Sequence, residues 1–185
     1  MMKNLFQILC GLFLVVSYSS CMHSEEDKVD VLIIGGGASG VTSGIQSARM
    51  GANTLILEES TWLGGMLTSA GVSAVDGNYR LPAGLWGEFK NRLSDYYGGL
   101  DSLKTGWVSN VLFEPSVGNK ILHEMVAAEN NLKVWKQACL EEVKRTGDEW
   151  VAKVKVEGQG VKTVRAKVMI DATELGDVAK ICGVK

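Results

Sequence analysis

The sequence predicts an α/β fold in which a parallel sheet carries an antiparallel β-meander. Three observations lead to this prediction. Two short apolar runs flank a segment with helical spacing, which is the pattern of a β-α-β unit with buried parallel strands. The second half of the chain changes to an alternating, two-residue period, which is typical of antiparallel strands with one wetter face. A last apolar run near residue 170 returns to the buried pattern.

The first β-α-β unit spans about thirty residues. Val29–Ile34 is a nearly continuous apolar run, as expected of a strand that is buried on both faces. Ala38–Met50 has helical spacing, Gly51 supplies a C-terminal stop, and Asn53–Glu58 is the second strand. Small residues recur at four-residue intervals along the helix and give it a smooth face for close packing on the sheet: Gly40, Gly44 and Ala48.

Two amphipathic helices are predicted in the middle of the chain. The first ends at Gly98-Gly99 and carries an apolar stripe made of Leu85, Phe89, Leu93 and Tyr97. The second begins after Pro115, with Ser116 as its expected N-cap. Its apolar side is predicted to consist of Val117, Ile121, Met125 and Ala128.

Short strands follow one another after the second helix. Four are predicted in the alternating region, at residues 134–136, 139–145, 149–157 and 162–166. A separate buried strand, Val168–Ile170, is expected next, followed by a polar turn and the start of a helix.

The N-terminal residues have the pattern of an export signal. A basic start is followed by about a dozen apolar residues, whereas a membrane-spanning helix, the competing interpretation, needs roughly twenty. Ser19-Ser20-Cys21 resembles the cleavage box of bacterial lipoproteins, although Tyr18 stands where that box usually has leucine. We expect a signal peptide of the lipoprotein type over 1–21, a short polar linker over 22–28, and one domain over 29–185.

The N-terminal signal, the net charge and the positions of the cysteines indicate where the protein is located and what it binds. We expect an exported protein, periplasmic or anchored in the outer membrane of a bacterium, that contacts the membrane only through a lipid on Cys21. The net charge of -2 and the scattered lysines argue against nucleic acid as a partner. Cys139 and Cys182 are far apart and outside any C-x-x-C pair, so we predict buried thiols and no metal site.

The loop after the first strand carries the motif Gly35-x-Gly37-x-x-Gly40. Between a strand and a helix this spacing predicts a Rossmann-like dinucleotide site. Gly35 permits the turn, Gly37 allows a pyrophosphate to approach the backbone, and Gly40 allows close packing, whereas Gly36 is expected to add only backbone freedom. The helix N-terminus offers N–H groups to phosphates. The predicted phosphate-binding residues are Gly35, Gly37, Ala38, Ser39 and Gly40.

A carboxylate ends the second strand. Glu58 lies eighteen residues past Gly40, where a carboxylate accepts hydrogen bonds from the adenosine ribose hydroxyls. The same charge would repel a 2′-phosphate, so NADP is disfavoured here. Glu59 takes this role if the strand register shifts by one residue.

Three further segments carry a resemblance to a known family. Gly64-Gly65 follows Glu58 after five residues, within WLGGMLTSAG. The segment FEPSVGNKILHEMVAAENNLKVWKQACLEEV follows. The last segment is IDATELGD at 170–177, which we call the late motif, and its polar turn is called the late turn. In this order they resemble the FAD-dependent oxidoreductases of the glutathione-reductase-like superfamily, and most closely the family that includes the flavin domain of heterodisulfide reductase. Glu174 stands where the family has glycine.

The resemblance implies a Rossmann-like FAD/NAD(P)-binding domain with FAD as cofactor. It implies that the chain folds over the cofactor after the second strand, that the backbone near Gln137–Leu140 approaches the adenine, and that the late turn contacts FAD again. The cofactor contacts implied in this way are Gly64, Gly65, Met66, Thr68, Ala138, Cys139, Asp171, Ala172 and Thr173. Either Thr68 or Ser69 is expected to donate a hydrogen bond to the flavin, and Arg80 is a candidate contact for an acidic substrate.

The resemblance also implies an activity. We expect flavin-mediated hydride or electron transfer on a small-molecule substrate, with catalytic residues that the sequence does not reveal. Members of the superfamily continue beyond the late motif, so the domain is expected to be incomplete at its C-terminus. Two alternatives stay open: an NAD-linked dehydrogenase, and a non-catalytic exported binding module or polysaccharide-acting lipoprotein. The Gly-Gly pair and the meander favour FAD over NAD.

Overall fold

The chain's structure, a computed structural model, describes residues 26–104 and 109–184. The predicted signal peptide, the Ser19-Ser20-Cys21 box and most of the predicted linker lie outside these residues. The strands are β1 (Glu26–Ile34), β2 (Thr54–Glu58), β3 (Leu132–Lys136), β4 (Ala138–Thr146), β5 (Glu149–Val156) and β6 (Gly160–Asp171). The helices are α1 (Ala38–Arg49), α2 (Gly84–Tyr97), α3 (Pro115–Ala127) and α4 (Asp177–Ile181), with 3-10 turns at Gly65–Leu67 and Leu100–Leu103.

All six strands belong to one sheet with the order β3-β2-β1-β6-β5-β4. β1 pairs in parallel with both β2 and β6, and β3 continues the parallel part beyond β2. β5 pairs antiparallel with β4 and with β6, so these three strands form the meander. The predicted mixed α/β fold is therefore confirmed.

β6 corrects the prediction of two separate strands near the C-terminus. The predicted strands at 162–166 and 168–170 are parts of one strand of twelve residues. No glycine or proline interrupts it after Gly160, and it pairs with β5 on one side and with β1 on the other. β1 also begins earlier than predicted, because Glu26–Lys28 pair with Thr163–Arg165 of β6. These three residues belong to the sheet rather than to a linker.

The two faces of the sheet are covered by different layers. The helices pack on one face, where Ile33 and Ile56 are fully buried together with Ile45 of α1. The meander folds over the other face, where Leu32 and Leu57 are buried against Val154, Val156 and Val164. Apolar residues therefore cover both faces of the parallel strands, which agrees with their continuous apolar sequence.

The middle helices follow the predicted stripes, with one error at a helix start. Phe89 and Leu93 of α2 are buried, and Gly98 ends this helix in a left-handed conformation, with φ of 78°. Ser116 is not the N-cap of α3, because Pro115 is already helical and Glu114 takes the N-cap position. The structure shows no helix, within 26–104 and 109–184, that is long and apolar enough to cross a membrane.

Two details of the predicted core are wrong. Ala128 follows the end of α3 and is exposed, because the helix ends at Ala127. Cys139 and Cys182 are also exposed rather than buried. Cys139 points away from the face of β4 that buries Ala138, since neighbouring side chains of a strand lie on opposite faces. Cys182 lies just beyond the end of the short helix α4.

Val154→Ala tests the packing of the meander on the parallel strands. Val154 is fully buried in this interface, so we expect a loss of about 2 kcal/mol in the free energy of unfolding. Urea denaturation measures this loss. Val161→Ala is the matched control, because Val161 is 52% exposed on the neighbouring strand and should change stability by less than about 0.5 kcal/mol. Equal losses in the two variants would contradict the described packing.

Candidate functional site

A cleft of about 520 Å³ lies at the carboxyl ends of β1, β2 and β6. This edge of a parallel sheet is where ligands bind in open α/β folds. We call this space the glycine-loop cleft. It is lined by Ile34, Gly35, Gly36, Gly37, Leu57, Glu58, Glu59, Ser60, Gly65, Ser69, Ala138, Leu140, Ala172, Thr173, Glu174, Leu175 and Asp177.

Gly35 brings the first and the last motif together. Its φ of +105° lies in the left-handed region, and a Cβ there would lie 2.4 Å from the carbonyl oxygen of Ala172. The Ala172 N–H donates to the carbonyl oxygen of Ile34 at 2.8 Å. The late turn therefore rests directly on the glycine loop, although the two segments are more than 130 residues apart.

Gly36 has a packing role that its place in the motif did not predict. Its N–H donates to Oε2 of Glu58 at 2.8 Å. A Cβ at this position would lie 2.7 Å from the same oxygen and 3.0 Å from Leu63 Cδ2. The expectation that Gly36 adds only backbone freedom is therefore wrong, because any side chain would displace the Glu58 carboxylate.

Gly40 and Gly37 differ in what they contribute. A Cβ on Gly40 would lie 1.9 Å from the carbonyl oxygen of Gly35, so the predicted close packing requires glycine. Gly37 has φ of -64°, which any residue adopts, and a Cβ there would meet nothing within 4 Å. Neither the backbone nor the packing of the described residues requires glycine at 37. The open space belongs to the cleft, where a bound phosphate can approach the backbone.

Gly37, the N-cap of α1, lines this open space, whereas Ala38, Ser39 and Gly40 are not among the lining residues. No side chain of the described residues caps the N-terminus of α1, and the first N–H groups of a helix have no partner within the helix. The hydroxyls of Thr42 and Ser43 donate to the carbonyl oxygens of Ala38 and Ser39 and do not compete for these N–H groups. The first N–H groups of α1 therefore follow directly on a residue that lines the cleft, and the phosphate contacts of Ala38, Ser39 and Gly40 stay predictions.

Glu58 is held in place by two backbone hydrogen bonds. Its Oε1 accepts from the Ser60 N–H at 2.7 Å, and its Oε2 accepts from the Gly36 N–H at 2.8 Å. Each carboxylate oxygen has two lone pairs, so one acceptor position on each is still available. Glu59 also lines the cleft but is more exposed. The geometry favours Glu58 over Glu59 as the acceptor for ribose hydroxyls.

The second glycine pair packs against the first. Gly64 and Gly65 have φ of +106° and +51°, and the Gly64 N–H donates to the carbonyl oxygen of Gly36 at 2.8 Å. A Cβ on Gly64 would lie 2.6 Å from Leu122 Cδ1 of α3. Gly65 lines the cleft, whereas Met66 does not and is 54% exposed.

Thr68 does not have the predicted role of a hydrogen-bond donor to the flavin. Its side chain is 1% exposed, and its hydroxyl donates to the carbonyl oxygen of Leu63 at 2.5 Å. A hydroxyl has one hydrogen, so Thr68 has none left to donate. Ser69 is exposed and lines the cleft, with its hydroxyl donating to the carbonyl oxygen of Gly65 at 3.2 Å. A small rotation would allow the Ser69 hydroxyl to reach a ligand.

β4 closes one side of the cleft through alternate residues. Gln137 adopts a left-handed conformation, and its N–H donates to the carbonyl oxygen of Ser60. Ala138 and Leu140 line the cleft, whereas Cys139 between them does not. Burial and the charge of Glu59 raise the pKa of the Cys139 thiol. A cofactor contact by Cys139 can therefore involve only its backbone.

Asp171 builds the late turn and does not line the cleft itself. Its Oδ1 accepts from the N–H of Thr173 at 3.0 Å and from its hydroxyl at 2.6 Å, and its Oδ2 accepts from the Ala179 N–H at 2.8 Å. Burial disfavours the charge, but these hydrogen bonds outweigh it and hold the pKa of Asp171 below its ordinary value. Asp171 thus positions Ala172 and Thr173, which line the cleft.

The side chains around the cleft carry only negative charge. Glu58, Glu59, Glu174 and Asp177 line it, and no Lys, Arg or His of the described residues does so. The described residues also place no three His, Cys, Asp or Glu side chains where they could hold a metal ion. Among the described residues, the attraction for the charge of a diphosphate therefore comes from backbone N–H groups and the dipole of α1, to which the Ser69 hydroxyl can add a hydrogen bond.

Several lining residues were not predicted from the sequence. Leu140 was expected only as part of the Gln137–Leu140 backbone, and alternation could have indicated its side chain, because it lies two residues beyond Ala138 on the same strand. Ser60 contributes a backbone N–H, which any residue type provides, so the sequence has no signal for it. Leu175 and Asp177 lie within the late motif, and their place at the cleft follows from the turn that Asp171 holds.

Gly40→Ala and Gly37→Ala should differ sharply in stability. Alanine at 40 meets the Gly35 carbonyl, so we expect a loss of about 3 kcal/mol or more in the free energy of unfolding, despite a gain of about 1 kcal/mol in helix propensity. Alanine at 37 enters open space and should cost less than about 1 kcal/mol. Urea denaturation of the two variants without any ligand is the measurement. Similar losses of unfolding free energy in the two variants would contradict the conclusion that packing requires glycine at 40 but not at 37.

Asp171→Asn should destabilise the chain in a pH-dependent way. Because the folded pKa is depressed, the charge of Asp171 stabilises the fold above the unfolded value of 3.8, and this contribution is lost as pH falls through the folded pKa. We expect a loss of about 1–3 kcal/mol at pH 7 that shrinks below pH of about 4. Urea denaturation between pH 3 and 7 measures it. A loss that is constant with pH would show that the carboxylate charge is not involved.

Several solved structures share this fold. A flavoprotein/dehydrogenase from Cytophaga hutchinsonii is 18% identical with a TM-score of 0.62, over 85% of this chain and 42% of its own. A geranylgeranyl bacteriochlorophyll reductase-like protein from Thermoplasma acidophilum is 20% identical with a TM-score of 0.56, over 86% and 43%. The anhydrotetracycline hydroxylase OxyS from Streptomyces rimosus is 15% identical with a TM-score of 0.60, over 84% and 34%. The chain thus spans less than half of each of these proteins.

The sequence comparisons give the family. No curated protein matches the chain at a significant level. A family model described as FAD dependent oxidoreductase matches residues 30–185, which include every segment that lines the glycine-loop cleft. The open space at Gly37, the helix N-terminus and the oriented Glu58 carboxylate suit the diphosphate and the ribose of a dinucleotide. The chain therefore belongs to the FAD dependent oxidoreductase family, and its cofactor is FAD.

Proposed function

We propose that the chain is the FAD-binding part of an oxidoreductase that transfers hydride or electrons between a small molecule and FAD. The observation that supports this most directly is Gly37, where the fold does not require glycine and the cleft has open space. A side chain there would obstruct only a ligand. The family match supports flavin redox chemistry in general. That the substrate is a small molecule is our proposal.

The diphosphate would bind at the N-terminus of α1. The N–H groups of Ala38, Ser39 and Gly40 would donate to its oxygens, and the positive end of the helix dipole would favour its charge. Gly65, whose Cβ position lies 3.1 Å from the Gly37 Cα, would keep the opposite wall close to the same site. A side chain on Gly65 would narrow the space beside Gly37.

The adenosine ribose would be held by Glu58. The two backbone bonds from Gly36 and Ser60 orient the carboxylate before any ligand arrives, so little conformational entropy is lost on binding. The same carboxylate would repel a 2′-phosphate, which favours FAD or NAD over NADP. Ala138 and Leu140 would contact the adenine beside it, as the resemblance implies.

FAD, when bound, supplies the electron transfer, and the chain supplies binding and orientation. Ser69 is the lining hydroxyl that can offer a hydrogen bond close to Gly65. Ala172 and Thr173 form the wall that Asp171 keeps rigid. Apolar residues at the base of the cleft, Ile34 and Leu57, exclude water from its floor.

Glu58→Gln tests the proposed site, with Glu174→Gln as the matched control. Both changes remove one negative charge from the same cleft. We expect Glu58→Gln to weaken FAD binding about tenfold, because the oriented charged acceptor is lost. Glu174→Gln should leave affinity unchanged or tighten it a few-fold, because Glu174 repels the diphosphate. Flavin absorbance and fluorescence quenching during FAD titration of the full chain give both affinities.

The outcomes separate the proposal from its alternatives. Equal effects of the two variants would show that net charge, rather than the ribose contact, governs affinity. A wild-type chain that binds no FAD but binds NAD would favour the NAD-linked alternative. Melting curves without ligand establish that Glu58→Gln still folds, since Glu58 also accepts two backbone bonds.

A further inference from the structure

A second cavity, of about 410 Å³, lies beside α2 and shares no lining residue with the glycine-loop cleft. Three of its lining residues are cationic, namely Arg80, Lys90 and Lys104, and none of the lining residues within 26–104 and 109–184 is acidic. We call it the basic cavity. Its charge is opposite to that of the glycine-loop cleft, and the FAD site described above leaves it unexplained.

Lys90 is the residue that makes this cavity unusual. Its residue surface is 7% exposed, although lysine is rarely buried without a partner of opposite charge. Its Nζ donates to the carbonyl oxygens of Tyr79 and Leu81 at 2.7 and 2.8 Å and lies 5.9 Å from the centre of the Trp86 ring. The ion pairs of residues 26–104 and 109–184 do not include Lys90.

The two carbonyl oxygens and the Trp86 ring hold the Lys90 ammonium group in place, but they do not neutralise its charge. An ammonium group has three donors, and the two carbonyls use two of them. Burying a charge is costly unless it is paired and hydrogen-bonded, and the carbonyls supply only partial charges. The third donor and the net charge are therefore available to an anion in the cavity that Lys90 lines.

Two more cations can reach the same anion. The Nε of Arg80 donates to the Tyr79 hydroxyl, which leaves the terminal nitrogens of its guanidinium group as donors. Lys104 pairs with Asp101 at 2.8 Å, but both side chains are exposed, so this surface pair is weak and easily exchanged.

We propose that the basic cavity binds a small oxyanion, the carboxylate or phosphate group of a metabolite, with Lys90 as its buried anchor. Lys90 supplies a fixed donor inside the cavity, and Arg80 and Lys104 supply donors at its exposed side. The proposal concerns a site separate from the FAD cleft and does not depend on the proposed function.

Titration calorimetry of the full chain with inorganic phosphate, and separately with malonate, tests the proposal at constant ionic strength set with NaCl. We expect saturable binding of at least one of the two anions. Lys90→Met should weaken it about tenfold or more, which corresponds to about 1.4 kcal/mol. Lys133→Met, which removes an exposed lysine on β3 outside the cavity, should leave it unchanged.

Two further variants keep the result interpretable. Arg80→Gln combined with Lys104→Gln should also weaken binding, and it decides the test if Lys90→Met does not fold. Gly37→Val should leave the Lys90-dependent binding unchanged, because it blocks only the glycine-loop cleft and any anion bound there.

Tighter binding of phosphate or of malonate indicates which group the cavity prefers. Absence of saturable binding, or binding lost in Gly37→Val but retained in Lys90→Met and in the Arg80/Lys104 double variant, would overturn the proposal.

Discussion

The contact between Gly35 and the backbone of Ala172 and Thr173 is the constraint on which the cleft depends. Two chain segments far apart in sequence approach so closely there that a single Cβ would overlap a carbonyl oxygen at 2.4 Å. The Ala172 N–H donates to Ile34 and fixes the distance between the strands' ends. Because backbone meets backbone, the walls of the cleft are set by main-chain geometry and not by flexible side chains.

The sheet topology is what makes this contact possible. β6 pairs with β1 from Glu26 to Ile34, so its last residue arrives beside the glycine loop. The same strand begins in the meander, which covers the sheet face opposite the helices. β6 therefore belongs both to the packed meander and, at its last residue, to the edge of the cleft. The hydrogen bonds that Asp171 accepts there hold the late turn in one conformation.

Charge is distributed unevenly between the two cavities. Acidic side chains line the glycine-loop cleft, and no described cationic side chain does, so the attraction for an anion there comes mainly from backbone N–H groups at the start of α1. Cationic side chains line the basic cavity, with Lys90 buried and without a carboxylate partner among the described residues. Fixed dipoles favour an anion of one shape, whereas the exposed side chains of Arg80 and Lys104 in the basic cavity are flexible and can adapt to anions of different size.

Local periodicity and turn glycines were enough to predict the β-α-β unit, the meander, the first glycine motif and the place of Glu58 at a strand end, whereas the roles of the Gly64-Gly65 segment and the late motif came from the family resemblance. Periodicity and spacing did not show that the Gly36 N–H holds the Glu58 carboxylate, or that the Thr68 hydroxyl donates to Leu63 and lies away from the cleft, because no local pattern reveals these contacts. The fusion of two predicted strands into β6 likewise depends on β1 and β5 as its neighbours. Long-range pairing and burial choose between local options that are otherwise nearly equal in energy, so spacing alone could not predict the outcome.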